Sequence, residues 1–209
     1  MRPTLLVLAK APVPGRVKTR LCPPCTPEEA AALARAALED TVAAAQDARA
    51  GRRVLVLAGG PAPPLPPGWM VAAQRGRGLA ERLATAFAEH APALLVAMDT
   101  PHVDPGVLDT GLDAVETHDA VLGQAHDGGF WAIGLRTADD AVFAGVPMSV
   151  RTTGAIQRAR LVALGLRTAT LPRLRDVDTI ADAWAVAREA PDGRFAAALA
   201  GTASARAAA

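Results

Sequence analysis

Four cations stand within eleven residues near the N-terminus, in Lys10-Ala-Pro-Val-Pro-Gly-Arg-Val-Lys-Thr-Arg20, and no carboxylate lies among them. The chain has twenty arginines but two lysines, and both lysines, Lys10 and Lys18, sit in this stretch. Pro12 and Pro14 stiffen it, and Gly15 frees the backbone for a turn or for close approach of a ligand. A site that keeps Lys where Arg serves elsewhere suits a compact, mobile ammonium rather than a planar fork. Loops of this make-up after a first strand commonly hold phosphate. A solvated basic loop is the plain alternative. Gly15 to Arg20, with Arg16 and Lys18 between them, is the candidate anion site, and Lys10 ends the strand.

Acids appear at two later points. Asp99 follows Leu-Leu-Val-Ala-Met, at the end of an apolar run. A carboxylate there is costly unless paired or liganded. A hard cation such as Mg²⁺ would satisfy it and bridge to a substrate phosphate; a turn cap at Asp99-Thr-Pro is the alternative. Asp176 and Asp178 precede the last strong helix signal, where Thr179 and Asp182 account for capping without any function. Paired with Asp99, Asp178 completes a two-carboxylate arrangement able to hold Mg²⁺ on a nucleotide.

Gln74, Gly76 and Gly78 fall at a strand–helix junction. The glycines allow backbone contact with a base or ribose, or else make a tight turn. Asp127-Gly-Gly-Phe-Trp131 is a hairpin signal, and it also suits the wall of a substrate pocket. Asp127 could bind a hydroxyl or act as general base. His102 and His126 can titrate near neutrality, but a lone His is more often a packing or surface residue. Cys22 and Cys25 lack partners at metal-ligand spacing and read as incidental loop cysteines. There is no Gly-x-Gly-x-x-Gly after the first strand, no Gly-Lys-Ser/Thr phosphate loop and no Gly-x-Ser-x-Gly elbow. Dinucleotide redox, P-loop and serine-hydrolase chemistries are poorly supported.

The elements that must position these residues alternate. Apolar runs at Thr4–Ala9, Arg53–Ala58, Trp69–Ala73, Ala93–Met98, Asp119–Gly123, Phe130–Leu135 and Arg167–Leu171 read as strands. Helical spacing marks 27–48, opened by a Thr26/Glu29 capping box with Pro27, and then 79–90, 105–117, 137–143 and 152–164, with a final helix to about Glu189. Only a few residues separate the strands at 119–123 and 130–135. A parallel crossover needs about a dozen, so one of the two runs against its neighbours. The expected fold is α/β, a three-layer α/β/α sandwich with a mixed, mostly parallel sheet. In such sheets ligands bind beyond the carboxyl ends of the strands, which brings the Lys18 loop, the Gln74 loop and Asp99 together. Residues 1–195 form one domain, and the Ala-rich 196–209 is expected to fray as a tail.

Composition bounds the partners. Half of the residues are hydrophobic, aromatics make up 3%, and Tyr is absent, so the core rests on Leu, Val, Ala and Ile. The formal net charge of +1 argues against a nucleic-acid partner. No run is long enough for a signal core or a membrane span, and a cytoplasmic protein is expected. A homodimer is left open.

The motifs together resemble the nucleotide-diphospho-sugar transferases of the GT-A fold, a Rossmann-like fold. More closely, they resemble a small bacterial branch labelled glycosyltransferase, itself similar to 2-phospholactate guanylyltransferase and the molybdenum-cofactor nucleotidyltransferases. The matching stretches are Ala11–Leu21, Gln74–Arg82, Met98–Pro101, Gly123–Gly134 and Asp176–Thr179. The resemblance implies that Gly15, Arg16, Lys18 and Arg20 grip nucleotide phosphates and that Asp99 and Asp178 bind Mg²⁺ or Mn²⁺. Ala97-Met98, Gln124, Phe130-Trp131 and Met148-Ser149 depart from the branch's usual residues, which leaves the acceptor open while the metal acid Asp99 is kept. The expected activity is Mg²⁺-dependent transfer of an NMP group from an NTP to a small phosphorylated acceptor, with release of pyrophosphate. Glycosyl transfer from an NDP-sugar, and nucleotide binding without catalysis, are the alternatives.

Overall fold

The computed structural model describes residues 2–202. Seven strands form one sheet in the order β3-β2-β1-β4-β6-β5-β7. They are β1 (Thr4–Lys10), β2 (Arg52–Ala58), β3 (Trp69–Ala73), β4 (Ala93–Ala97), β5 (Ala120–Ala125), β6 (Phe130–Leu135) and β7 (Thr168–Leu174). β1 pairs in parallel with both β2 and β4, β3 adds in parallel to β2, and β7 adds in parallel to β5. β6 alone among them is antiparallel to both of its neighbours, β4 and β5. It is the reversed strand that the short β5–β6 connection demands.

Between Thr4 and Lys10 the strand β1 is apolar, Leu5 to Ala9, because both its faces are covered. Leu5, Val7 and Ala9 point into one core with α1 (Pro27–Asp47) and α3 (Pro105–Thr117). Leu6 points into the other, with Leu83 and Phe87 of α2 (Leu79–His90) and Leu161 of α4 (Thr153–Ala163). A third cluster sits outside α1. Leu33 and Ala37 pack there with Val186 of α5 (Ile180–Glu189) and with Phe195 and Leu199 of α6 (Arg194–Ala200). Helix α1 is thus covered on two sides, which explains its many alanines: small side chains let both layers approach. It begins with the expected capping box, Thr26 accepting from Glu29 N while Glu29 accepts from Thr26 N.

Several expected boundaries move. The helix expected at 137–143 is only a three-residue 3-10 turn, Asp140–Val142. The Asp139 carboxylate accepts from Ala141 N and so competes with an α-helical ladder, and Gly145 at φ 74° turns the chain away. β7 runs on through Pro172 to Leu174; an edge strand tolerates proline because one side of its ladder is unpaired. The boundary expected at 195 falls inside α6, where Phe195 and Leu199 are buried. Burying each such side chain contributes about 1.5–3 kcal/mol, which is why this stretch is helix rather than tail. Residues 203–209 of the expected tail lie outside the described residues. No helix among the described residues is long and apolar enough to cross a membrane.

Candidate active site

β1, β2, β3, β4, β5 and β7 all point the same way, so the loops after them share one edge of the sheet. The loop after β1 is fastened there at two apolar points. Val17 is buried against the α1 side of the sheet, and Leu21 is buried in the outer cluster. Lys18 lies between these anchors in a left-handed backbone conformation, φ 49° and ψ 35°, and a 3-10 turn at Thr19–Leu21 follows it. A left-handed non-glycine residue costs roughly 1–2 kcal/mol, and the contacts of its side chain offset this.

The Lys18 ammonium is 2.7 Å from Asp99 Oδ1 and 3.9 Å from Asp178 Oδ1, and only 7% of the side chain is exposed. It also donates to the Val177 carbonyl. Arg20, largely exposed, places Nη1 2.9 Å from Asp178 Oδ2. The acids are held together by backbone as well: Val177 N donates to the Asp99 carbonyl at 2.9 Å. Met98, just before Asp99, is fixed by its N–H to the Leu8 carbonyl, and the Thr41 hydroxyl of α1, which donates to the Ala37 carbonyl at 2.9 Å, lies 3.4 Å from the Met98 carbonyl. The loops after β1, β4 and β7 therefore meet at one point.

A further acidic group borders it. Asp127, Asp176 and Asp178 offer carboxylate oxygens within 4.8 Å of one another. Burial pushes the Asp176 carboxyl up to about 6, and the negative charges of Asp127, Asp178 and Asp99 add to the rise. Asp127 also shapes its own turn by accepting from Gly129 N at 2.7 Å. That turn is locked against the start of α4. Gly128 has φ 95° and its carbonyl accepts from Gly154 N at 2.8 Å. A Cβ on Gly128 would stand 1.8 Å from the Arg151 carbonyl oxygen.

Other candidate residues have visible structural duties. The Gln74 side-chain amide donates to the Ala9 and Val56 carbonyls at 2.8 and 3.1 Å, which ties the loop after β3 to the tip of β1. Gly76, at φ 128°, packs on the first turn of α2, where a Cβ would be 2.7 Å from that of Glu81. Gly78 is extended at the start of α2 and has open space where a Cβ would be. Gly15, at φ 73°, has open space too. Arg16 is exposed and makes no ion pair among the described residues. Trp131 is not a pocket wall: it is 1% exposed and its Nε1 donates to the Pro172 carbonyl. His102 is buried behind the Asp99 loop, 3.4 Å from Glu189. Cys25 belongs to the outer apolar cluster and Cys22 packs against it, both as free thiols.

Two features escape sequence reasoning. One is the Val177 backbone, which touches Lys18 and Asp99. The other is the meeting of Asp127 with Asp176 and Asp178. Both depend on pairing β5 with β7, which no local pattern announces.

The sheet order and the acid-tipped strands define a nucleotide-diphospho-sugar transferase and nucleotidyltransferase fold. The chain belongs to the family described as "Uncharacterized protein conserved in bacteria (DUF2064)", whose profile matches residues 29–150. Among solved structures, it is similar to a protein of Desulfovibrio desulfuricans G20 provisionally described as a nucleotide-diphospho-sugar transferase. That match has a TM-score of 0.86 at 26% identity, over 94% of this chain and 93% of the other. The manganese complex of Rv0371c from Mycobacterium tuberculosis H37Rv matches with a TM-score of 0.54 at 25% identity, over 89% and 97%. The 2-C-methyl-D-erythritol 4-phosphate cytidylyltransferase of Thermus thermophilus shares the fold, with a TM-score of 0.51 at 17% identity, over 96% and 98%. No curated protein matches the sequence.

Proposed function

We propose that the protein transfers a nucleoside monophosphate from a nucleoside triphosphate to a small phosphorylated acceptor in the presence of Mg²⁺ or Mn²⁺. One observation carries this reading: the cationic loop after β1 converges, through Lys18 and Arg20, on Asp99 and Asp178. Cations for a polyphosphate and carboxylates for a divalent ion then lie within one contact of each other. In the reaction, an acceptor phosphate oxygen bonds to the α-phosphorus as the bond to the bridging oxygen breaks, and pyrophosphate leaves.

The donor set fits a hard cation. Asp99 and Asp178 would hold it, with Asp127 and Asp176 close enough to share the charge. Burial chiefly raises the Asp176 carboxyl, and the neighbouring negative charges of Asp127, Asp178 and Asp99, which a divalent ion would relieve, add to the rise. When bound, the metal neutralises charge on the phosphates. The manganese complex of a 25%-identical structure supports the assignment. Lys18 and Arg16, with Arg20, would stabilise the leaving pyrophosphate, and the open backbone at Gly15 lets phosphate oxygens approach. Gly78 leaves room for base or ribose, while Gly76 and Gln74 hold that loop in place. Positioning and electrostatics of this kind supply most of the catalysis in phosphoryl chemistry. The test is pyrophosphate release from each of the common NTPs, with a set of phosphorylated acceptors and with or without Mg²⁺. No release from any combination would remove the reading.

Transfer of a sugar from an NDP-sugar is the second reading. The 26%-identical structure favours it, as does exposed Asp127 beside Asp176 and Asp178, where it could take a proton from an acceptor hydroxyl. Stabilisation by NDP-sugars and by no NTP would select it. Nucleotide-dependent stabilisation with no turnover on any donor would leave a binding domain on the same fold.

A further inference from the structure

Lys18 fills the place between two carboxylates that a divalent cation would share. Its ammonium is 2.7 Å from Asp99 and 3.9 Å from Asp178, and it donates to the Val177 carbonyl. These are hard oxygens, the type that holds Mg²⁺ or Mn²⁺. The placement is built into the loop. The side chain is 7% exposed, the backbone is left-handed, and the buried Val17 and Leu21 fix either side of it. Arg20 differs: 71% of its side chain is exposed while it meets the other oxygen of Asp178, so it can pivot without leaving a buried charge unpaired. Two cations on one small oxygen set repel each other. For a divalent ion to take both acids, the ammonium must give way, and a buried ammonium moves only toward another anion.

We propose that Lys18 is a built-in counter-ion that keeps divalent metal from binding tightly to Asp99 and Asp178 alone. The polyphosphate of an incoming nucleotide draws Lys18 off the acids, so that metal and nucleotide enter together. The proposal rests on the nucleotide and metal reading above and adds an order of binding to it. The linkage is reciprocal: whatever factor the nucleotide adds to metal affinity, the metal adds to nucleotide affinity. A site built this way does not sequester free metal and does not commit its acids before a donor is present.

The experiment is Mn²⁺ binding to the full chain, followed by electron paramagnetic resonance, first without nucleotide. Lys18→Met and Lys18→Gln should each bind Mn²⁺ on the order of 5–150-fold tighter than wild type, the usual range for coupled sites. Lys10→Gln removes the same charge at the exposed end of β1, where the Lys18 loop begins. It should stay within about twofold of wild type, because exposed charges are screened. In the second arm, preformed Mn²⁺ complexes of ATP, CTP, GTP and UTP are titrated. Wild type should take up Mn²⁺ more tightly with its preferred nucleotide than without, and both Lys18 variants should lose most of that gain. Equal Mn²⁺ affinity for wild type and both Lys18 variants overturns the proposal. So does an equal increase in Lys10→Gln, which would reduce the effect to loop charge. If no nucleotide raises Mn²⁺ uptake by wild type, the nucleotide reading and the release step fail together. The first arm would still decide whether Lys18 competes with the metal.

Discussion

Lys18 is held in a left-handed backbone by two buried neighbours, by close contacts to the Val177 carbonyl and Asp99, and by the charge of Asp178 at 3.9 Å. Lys18→Ala should reduce pyrophosphate release by roughly 30–150-fold, the loss of one charge-assisted contact of about 2–3 kcal/mol in the transition state. Steady-state kinetics with the preferred donor checks this, and a near wild-type rate would remove the role. His102 gives an independent prediction at the residue scale. Burial lowers its pKa below the ordinary 6.5; Glu189 at 3.4 Å pulls the other way, and Arg175 and His126 reinforce the burial. Burial prevails because both ring nitrogens are enclosed without a hydrogen-bond partner. A base whose folded pKa is depressed binds fewer protons folded than unfolded. Its contribution to stability is therefore present above 6.5 and is lost as pH falls through the folded value. Urea unfolding at about pH 7.5 and about pH 5, either side of the ordinary histidine range, should show wild type losing more stability than His102→Leu. The carboxylates Asp109, Asp119 and Asp182 have lowered pKa values and act at lower pH, and His90 and Asp176, the latter raised to about 6 and so titrating inside this window, are common to both proteins. An equal loss in the two proteins would show that His102 does not set this slope.

At the scale of elements, the β5–β6 turn and the start of α4 act as one unit. Gly128 is needed there twice over: its φ of 95° favours glycine, and its missing Cβ makes way for the Arg151 carbonyl. Gly128→Ala should cost about 1–3 kcal/mol of stability and displace Asp127 from Asp176 and Asp178. Urea unfolding checks the first effect. A stability change below a few tenths of a kcal/mol would mean that the turn relaxes freely. Much at this scale was legible in the sequence. The capping box at Thr26 and Glu29, the bounds of β3, α2, α3 and β6, and the reversed strand all follow from local chemistry and loop length. The misreadings have local causes as well. Asp139 diverted a helix-like stretch into a 3-10 turn, Pro172 hid the end of β7, and the alanines of α6 hid a buried face that only α1 and α5 reveal. For the site, the residue types and their order along the chain were legible. The contacts of Lys18 with Asp99 and Asp178 were not, because they form between loops separated by most of the sequence. The sequence places Gln74 only at a strand–helix junction; that its side-chain amide clamps that loop to the carbonyls of Ala9 and Val56 depends on strand neighbours the local sequence does not name.

The whole molecule gathers the candidate site where strand direction changes. β1 and β4 carry the cationic loop and Asp99 on the parallel side, and the reversed β6 brings β5 and β7, with Asp127, Asp176 and Asp178, to the same edge. Neither half of the sheet holds a complete site, since the cations come from one half and three of the four acids from the other. Docking of α5 and α6 on α1 then secures the loop that bears Asp178: Val177 and Leu21 are buried in that cluster beside Phe195 and Leu199. A nucleotide with its metal would therefore bridge the two halves, and its binding energy should appear as stability of the entire fold. At about a hundred times its dissociation constant, a ligand specific for the folded state adds about 2.7 kcal/mol. A panel of NTPs and NDP-sugars in thermal unfolding, with and without Mg²⁺, should yield a rise that needs both nucleotide and metal. Asp99→Asn and Asp178→Asn keep the shape and an oxygen acceptor for Lys18, so both variants should fold. In both, the metal-dependent part of the rise should vanish, while any metal-free stabilisation by polyphosphate on the Lys18 loop should persist. A full metal-dependent shift retained by either variant would move the cation away from that acid, and retained by both it would separate the metal from this edge of the sheet.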